Sequence, residues 1–77
     1  MAAIRRRFTP AEREAFTAGT AVEWLDATNW KPGYVNGPVE IDAEGWQVLS
    51  VENQARTGLV RRGEVIRVNA KHVRLAR

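Results

Sequence analysis

His72 is the only imidazole in the chain, cysteine is absent, and nine carboxylates complete the groups that acid–base, nucleophilic or metal chemistry would draw on. The histidine sits in the polar stretch Asn69-Ala70-Lys71-His72, with no carboxylate or nucleophile at a spacing that would orient it, so it reads as a solvated side chain. Asp42 and Glu44 fall in Asp42-Ala43-Glu44-Gly45, a turn by composition, and two carboxylates form an acid/base pair only inside a pocket. No thiolate or multi-histidine metal set is present, and no glycine-rich phosphate loop. The chain therefore reads as a non-enzyme without cofactor or metal. What remains for function is charge and aromatic surface, which serve binding.

The net charge of +3 is unevenly spread. Residues 1–19 carry four Arg against two Glu, and residues 20–52 carry Lys31 against Glu23, Asp26, Glu40, Asp42, Glu44 and Glu52. Residues 53–77 carry seven basic side chains against Glu64. Such a division suits an anion-binding face opposite an acidic one, or self-complementary pairing between copies in a homo-oligomer. Arg56, Arg61, Arg62, Arg67, Lys71 and Arg74 are the candidates for nucleic-acid contact, with Arg77 and the triplet Arg5-Arg6-Arg7 as further phosphate contacts. A basic triplet at a terminus is more often a mobile, solvated tail. No recognition helix is available, so such binding rests on phosphates and is sensitive to salt.

The elements that position these residues follow from pattern. Seventy-seven residues make one domain, small enough that aliphatics and three tryptophans must supply the whole core. Residues 1–8 read as a basic arm and residues 9–77 as a single domain. No apolar run reaches the roughly 20 residues that span a bilayer, and the first residues lack the apolar segment of a secretory signal, so a soluble, cytoplasmic protein is expected.

Thr9-Pro10-Ala11-Glu12 is a capping box with proline at the first helical position, which predicts a short helix over about 10–18 ended by Gly19. So short a helix must dock on the remainder, through Phe16, Ala15 and Phe8. Thr20 to Leu25 alternates, with Val22 and Trp24 on one face and Ala21, Glu23 and Leu25 on the other, and predicts a strand. Asp26 to Asn29 breaks it, and Lys31-Pro32-Gly33 beside Trp30 predicts a turn before Tyr34-Val35 resume an extended chain.

From Gly33 to Asp42, Val35, Gly37, Val39 and Ile41 share one face of a strand that Pro38 confines to an edge or bulge. The rival reading makes Asn36-Gly37 a tight hairpin turn, but leaves Tyr34-Val35 a very short strand. Trp46 to Val51 predicts a curved strand covered on both sides. Leu59-Val60 is a candidate short strand that turns through Arg61-Arg62-Gly63, with Gly63 left-handed; otherwise the segment is a mobile loop. Glu64 to Val68 predicts a strand with Ile66 and Val68 inward, Asn69 to His72 a single 3-10 turn, and Val73-Arg74-Leu75 a last strand with both aliphatics inward.

Short bent strands, an aromatic after the first strand and a one-turn helix before the last resemble the SH3-like barrel, nearest to its Tudor and Agenet-like variety. The skeleton V-x-W, W-x-x-G-x-V, G-x-x-V and V-x-x-x-x-V-R is matched by Val22 and Trp24, by Trp30, Gly33 and Val35, by Gly45 and Val48, and by Val68, Val73 and Arg74. The resemblance covers residues 19–76. It implies a mainly β fold, an SH3-like barrel of four to five bent antiparallel strands with a short N-terminal α-helix and a 3-10 turn. Tudor-like relatives bind methylated lysine or arginine in an aromatic cage, for which Trp24, Trp30, Tyr34 and Trp46 would be the walls. The plainer reading, favoured here, has Trp24 and Trp30 filling the core and covering the barrel mouth.

The plasmid-borne dihydrofolate reductase is also an SH3-like barrel of similar length, with a Val-Gln-Ile-Tyr strand in its pore. The corresponding Val65-Ile66-Arg67-Val68 lacks the glutamine and tyrosine, so that activity is disfavoured. A small fold without a catalytic set suits an accessory or regulatory binding module, as a bacteriophage or mobile element encodes. A protein partner is the leading expectation, with Tyr34, Trp46 and Trp30 as contact candidates. Non-specific nucleic-acid binding is the runner-up.

Overall fold

The structure, a computed structural model, describes residues 8–76; Arg5 to Arg7 and Arg77 lie outside them. The chain forms helix α1 (Pro10–Ala15), strands β1 (Ala21–Asp26), β2 (Asn29–Val35), β3 (Glu40–Ile41), β4 (Gln47–Asn53) and β5 (Val65–Asn69), a 3-10 turn (Ala70–His72) and strand β6 (Val73–Leu75).

The expected capping box is formed: Thr9 Oγ1 accepts from Glu12 N–H and Glu12 Oε1 from Thr9 N–H, both at 3.1 Å. The helix ends at Ala15, three residues before the expected limit of Ala18. Phe16 leaves helical geometry at φ −87° and ψ 57°. Its ring is buried, with its centroid 4.7 Å from that of Phe8. Docking this ring stabilises the core more than another helical residue would. Gly19, at φ +89°, serves the turn into β1 instead of the helix end.

The sheet is antiparallel throughout, in the order β6-β1-β2-β4-β5. Val51 pairs Val35 on one side and Ile66 on the other, while Val48 pairs Glu40 and Asn69. Thus β2 and β3 share one edge of β4. Strands β5 and β6 stand at the two margins of the sheet, yet only a three-residue turn joins them. The sheet must therefore curl until its margins approach, and the resulting half-barrel is compatible with an SH3-like barrel. Inside it lie Phe8, Phe16, Val22, Trp24, Val35, Leu49, Val51, Val68, Ala70 and Val73, with Val39, Val60 and Ile66 against them.

Four expectations are corrected. The turn after β1 is Ala27-Thr28, with Ala27 at φ +53°, and Lys31-Pro32-Gly33 is part of β2. Pro32 is tolerated because its N–H would point beyond the last β2–β4 pair, Gly33 with Asn53, while its carbonyl accepts from Gln54 N–H at 2.9 Å. Second, the strand expected from Gly33 to Asp42 is interrupted: between the pairs Val35–Val51 and Glu40–Val48, four residues stand opposite two. Residues Asn36 to Val39 are a bulge, with Gly37 at φ +126° beside Pro38.

The third correction concerns Ile41 and Leu75, which share the inner face but lie past the core at a hairpin end and a strand end, and are 67% and 45% exposed. Fourth, Leu59-Val60 is irregular, because the Val60 carbonyl is taken by Asn53 instead of a neighbouring strand. Gly63 takes the expected left-handed geometry, at φ +90°.

Candidate functional site

Cross-strand register decides which side chains meet outside the half-barrel. Residues directly opposite in a ladder share a face. Opposite pairs Leu25–Trp30, Glu23–Pro32, Ala21–Tyr34, Glu23–Arg74, Tyr34–Glu52, Glu52–Val65 and Ser50–Arg67 therefore make one outer surface. Tyr34 is 45% exposed and borders an open cleft of about 360 Å³ with Gly19, Val35, Asn36 and Glu52. Glu52 Oε2 accepts from Gln54 Nε2 at 2.9 Å, which holds a carboxylate at the cleft wall. The cleft can take a side chain that combines apolar contact with positive charge.

The four aromatic residues of the implied cage do not converge. Trp24 is buried on the inner face, with its Nε1 donating to the Pro32 carbonyl at 3.3 Å. Trp30 is half-buried on the outer face and does not fill the core. Tyr34 follows on that face four residues further along β2, about 13 Å away at the usual strand rise. Trp46 lies between β3 and β4, next to the 3-10 turn. Each tryptophan already holds a cation of the same chain. Lys31 Nζ is 6.0 Å from the Trp24 ring, Lys71 Nζ 5.2 Å from Trp46, and the Arg74 guanidinium 3.9 Å from Trp30.

The six basic candidates divide in the same way. Arg74 Nε donates to Glu23 Oε1 at 2.8 Å while stacked on Trp30, Arg67 pairs with Glu40 at 3.3 Å, and Lys71 covers Trp46. Arg56, Arg61 and Arg62 all fall in the connection between β4 and β5, exposed and without an ion pair among the described residues. Only these three form a local group. Asp42 is a turn residue as expected, its Oδ1 accepting from Glu44 and Trp46 N–H at 2.9 Å. His72 is half-buried in the 3-10 turn, and the described residues contain no group of three His, Asp or Glu that could hold a metal ion.

Lys31, Asn53 and Leu59 were not singled out by residue type. Nothing in their sequence neighbourhood marks Lys31 as a partner of Asp26 and Thr57, or Asn53 as the centre of a loop. Leu59 alone carried a signal, as an aliphatic between arginines. Comparison with known proteins finds no match: no family model, curated protein or solved structure aligns with the chain.

Proposed function

We propose that this chain is a small non-enzymatic protein-binding module whose contact surface is the outer sheet face around Tyr34. The supporting observation is the exposed Tyr34 ring at an open cleft, with the Glu52 carboxylate at its wall. Val65, Pro32 and Ala21 extend an accessible apolar border on the same face. A partner segment presenting an apolar residue beside a basic one fits this layout, with the aromatic ring as anchor. The curled sheet is compatible with an SH3-like barrel, and we liken the module to the Tudor and Agenet-like variety, with recognition through a face in place of the aromatic cage. Trp30, already stacked on Arg74, stabilises the surface, and Trp46 stands apart from it. An accessory or regulatory role in the cytoplasm, of the kind a bacteriophage gene supplies, agrees with a domain of this size.

The test is a photo-crosslinking residue at position 34, compared in cells with the same label at Ala43. A defined protein adduct at 34 that is absent at 43 and weakened by Glu52→Gln supports the surface. Equal labelling at both positions removes the proposal.

A further inference from the structure

The connection between β4 and β5, residues 54–64, is held from beneath. Asn53 is fully buried; its Nδ2 donates to the Val60 and Arg61 carbonyls at 3.0 and 3.1 Å, and its Oδ1 accepts from Ala55 N–H at 3.0 Å. Its backbone bonds Glu64 and Gly63 at 2.9 and 2.7 Å, which closes the loop's far shoulder. On the near side, Lys31 Nζ donates to the Thr57 carbonyl at 3.2 Å while paired with Asp26 at 2.7 Å. Gly58, at φ +110°, lies over that ammonium where a Cβ would collide.

From this fixed underside the loop presents Arg56, Leu59, Arg61 and Arg62 to solvent, and Leu59 is exposed to the full extent. Arg62 Nε reaches only the Gln54 amide, at 3.4 Å, and the Glu64 carboxylate takes the Arg61 backbone N–H at 3.1 Å. An apolar tip with exposed arginines before and after it along the loop suits a narrow groove between two rows of phosphates. The minor groove of B-DNA, about 6 Å wide, is such a groove. Leucine is among the side chains that wedge between base steps there. A single leucine carries too little apolar area to anchor on a bilayer, so the charges are the larger contribution and favour a polyanion.

We propose that residues 54–64 contact double-stranded DNA, with Leu59 entering the minor groove between phosphates held by Arg56 on one side and by Arg61 and Arg62 on the other. This surface adjoins the Tyr34 face through Gln54, which bonds both Arg62 and Glu52, but its contact with DNA does not depend on a protein partner. The loop is ordered before binding, so little conformational freedom is lost on contact.

The experiment is fluorescence anisotropy of the full chain with a labelled duplex of about 20 base pairs across a salt series. Three phosphate contacts make affinity fall about 40-fold between about 50 and 200 mM salt. Arg61→Ala and Arg62→Ala each reduce the log–log salt slope by about 0.9, whereas Arg62→Lys retains it. Leu59→Ala leaves the slope unchanged, weakens binding and abolishes any bend seen by end-to-end energy transfer. Tyr34→Ala changes none of these readings, which separates this proposal from the protein-binding one. All positions are exposed, and matched thermal melts confirm folding. The proposal is overturned if the duplex is not bound at low salt, or if the arginine variants leave the slope intact. Tighter binding of phosphatidylserine vesicles or of polyglutamate than of the duplex would overturn it equally.

Discussion

Gly33 and Asn53 show how single residues set this fold for reasons that residue type alone does not disclose. Glycine in Lys31-Pro32-Gly33 suggests a turn, yet Gly33 is extended within β2, where space is the constraint. A Cβ there would stand 2.6 Å from Val51 Cγ1 and 2.8 Å from the Glu52 carbonyl oxygen. Gly33→Ala is expected to lower stability by about 2 kcal/mol, because the backbone must move to admit it. Gly45→Ala, at φ +86° with open space around it, should cost about 1 kcal/mol through conformation alone. Urea unfolding with equal slopes would measure both, and a smaller loss at Gly33 than at Gly45 would reverse the argument. Asn53 is legible as a polar residue but not as a buried one. Asn53→Asp replaces a donor to two carbonyls with a buried acceptor, and is expected to cost about 3 kcal/mol or more. Hydrogen exchange should quicken across 54–64 in that variant; protection equal to the parent's would show that the loop is held by other bonds.

At the scale of elements, alternation and capping carried most of the fold. Val22 and Trp24, the pair Ile66 and Val68, the Thr9 cap and the 3-10 turn after Asn69 are all local patterns, so neighbouring residues suffice to reveal them. What neighbours do not reveal is where a long-range contact stops an element. Helix α1 ends at Ala15 because Phe16 is drawn to Phe8 and the core, and β3 is reduced to two residues by a bulge fitted against β4. The candidate site was legible in the same uneven way. The arginines were visible by type, but Arg74 meets Glu23 across 51 residues and Arg67 meets Glu40 across 27, and only the register separates them from the three without an ion pair among the described residues. A helix of six residues has little stability of its own. Thr9→Ala is therefore expected to cost about 1 kcal/mol and Phe16→Ala about 3 kcal/mol. Equal losses in chemical denaturation would mean that capping, and not ring docking, holds the helix.

For the whole molecule, the acidic middle and basic C-terminal parts of the sequence suggest copies that pair head to tail. The fold turns that complementarity inward. Strand β6 lies against β1 and sets Arg74 on Glu23, while Arg67 of β5 reaches Glu40 across β4. Asp26 is matched within its own hairpin by Lys31. Such partly exposed pairs each contribute about 0–1 kcal/mol, so they orient the strands more than they stabilise them. Once they form within one chain, the surface left over has the sign of the net charge, +3, and like-charged copies repel. The chain is accordingly expected to sediment as a monomer at about 50 μM protein in low salt, where repulsion between copies is least screened. Added salt should leave it monomeric. A dimer that dissociates as salt rises would mean that Glu23–Arg74 or Glu40–Arg67 is exchanged between copies. In that event Arg74→Glu combined with Glu23→Arg would restore a dimer that either substitution alone had abolished.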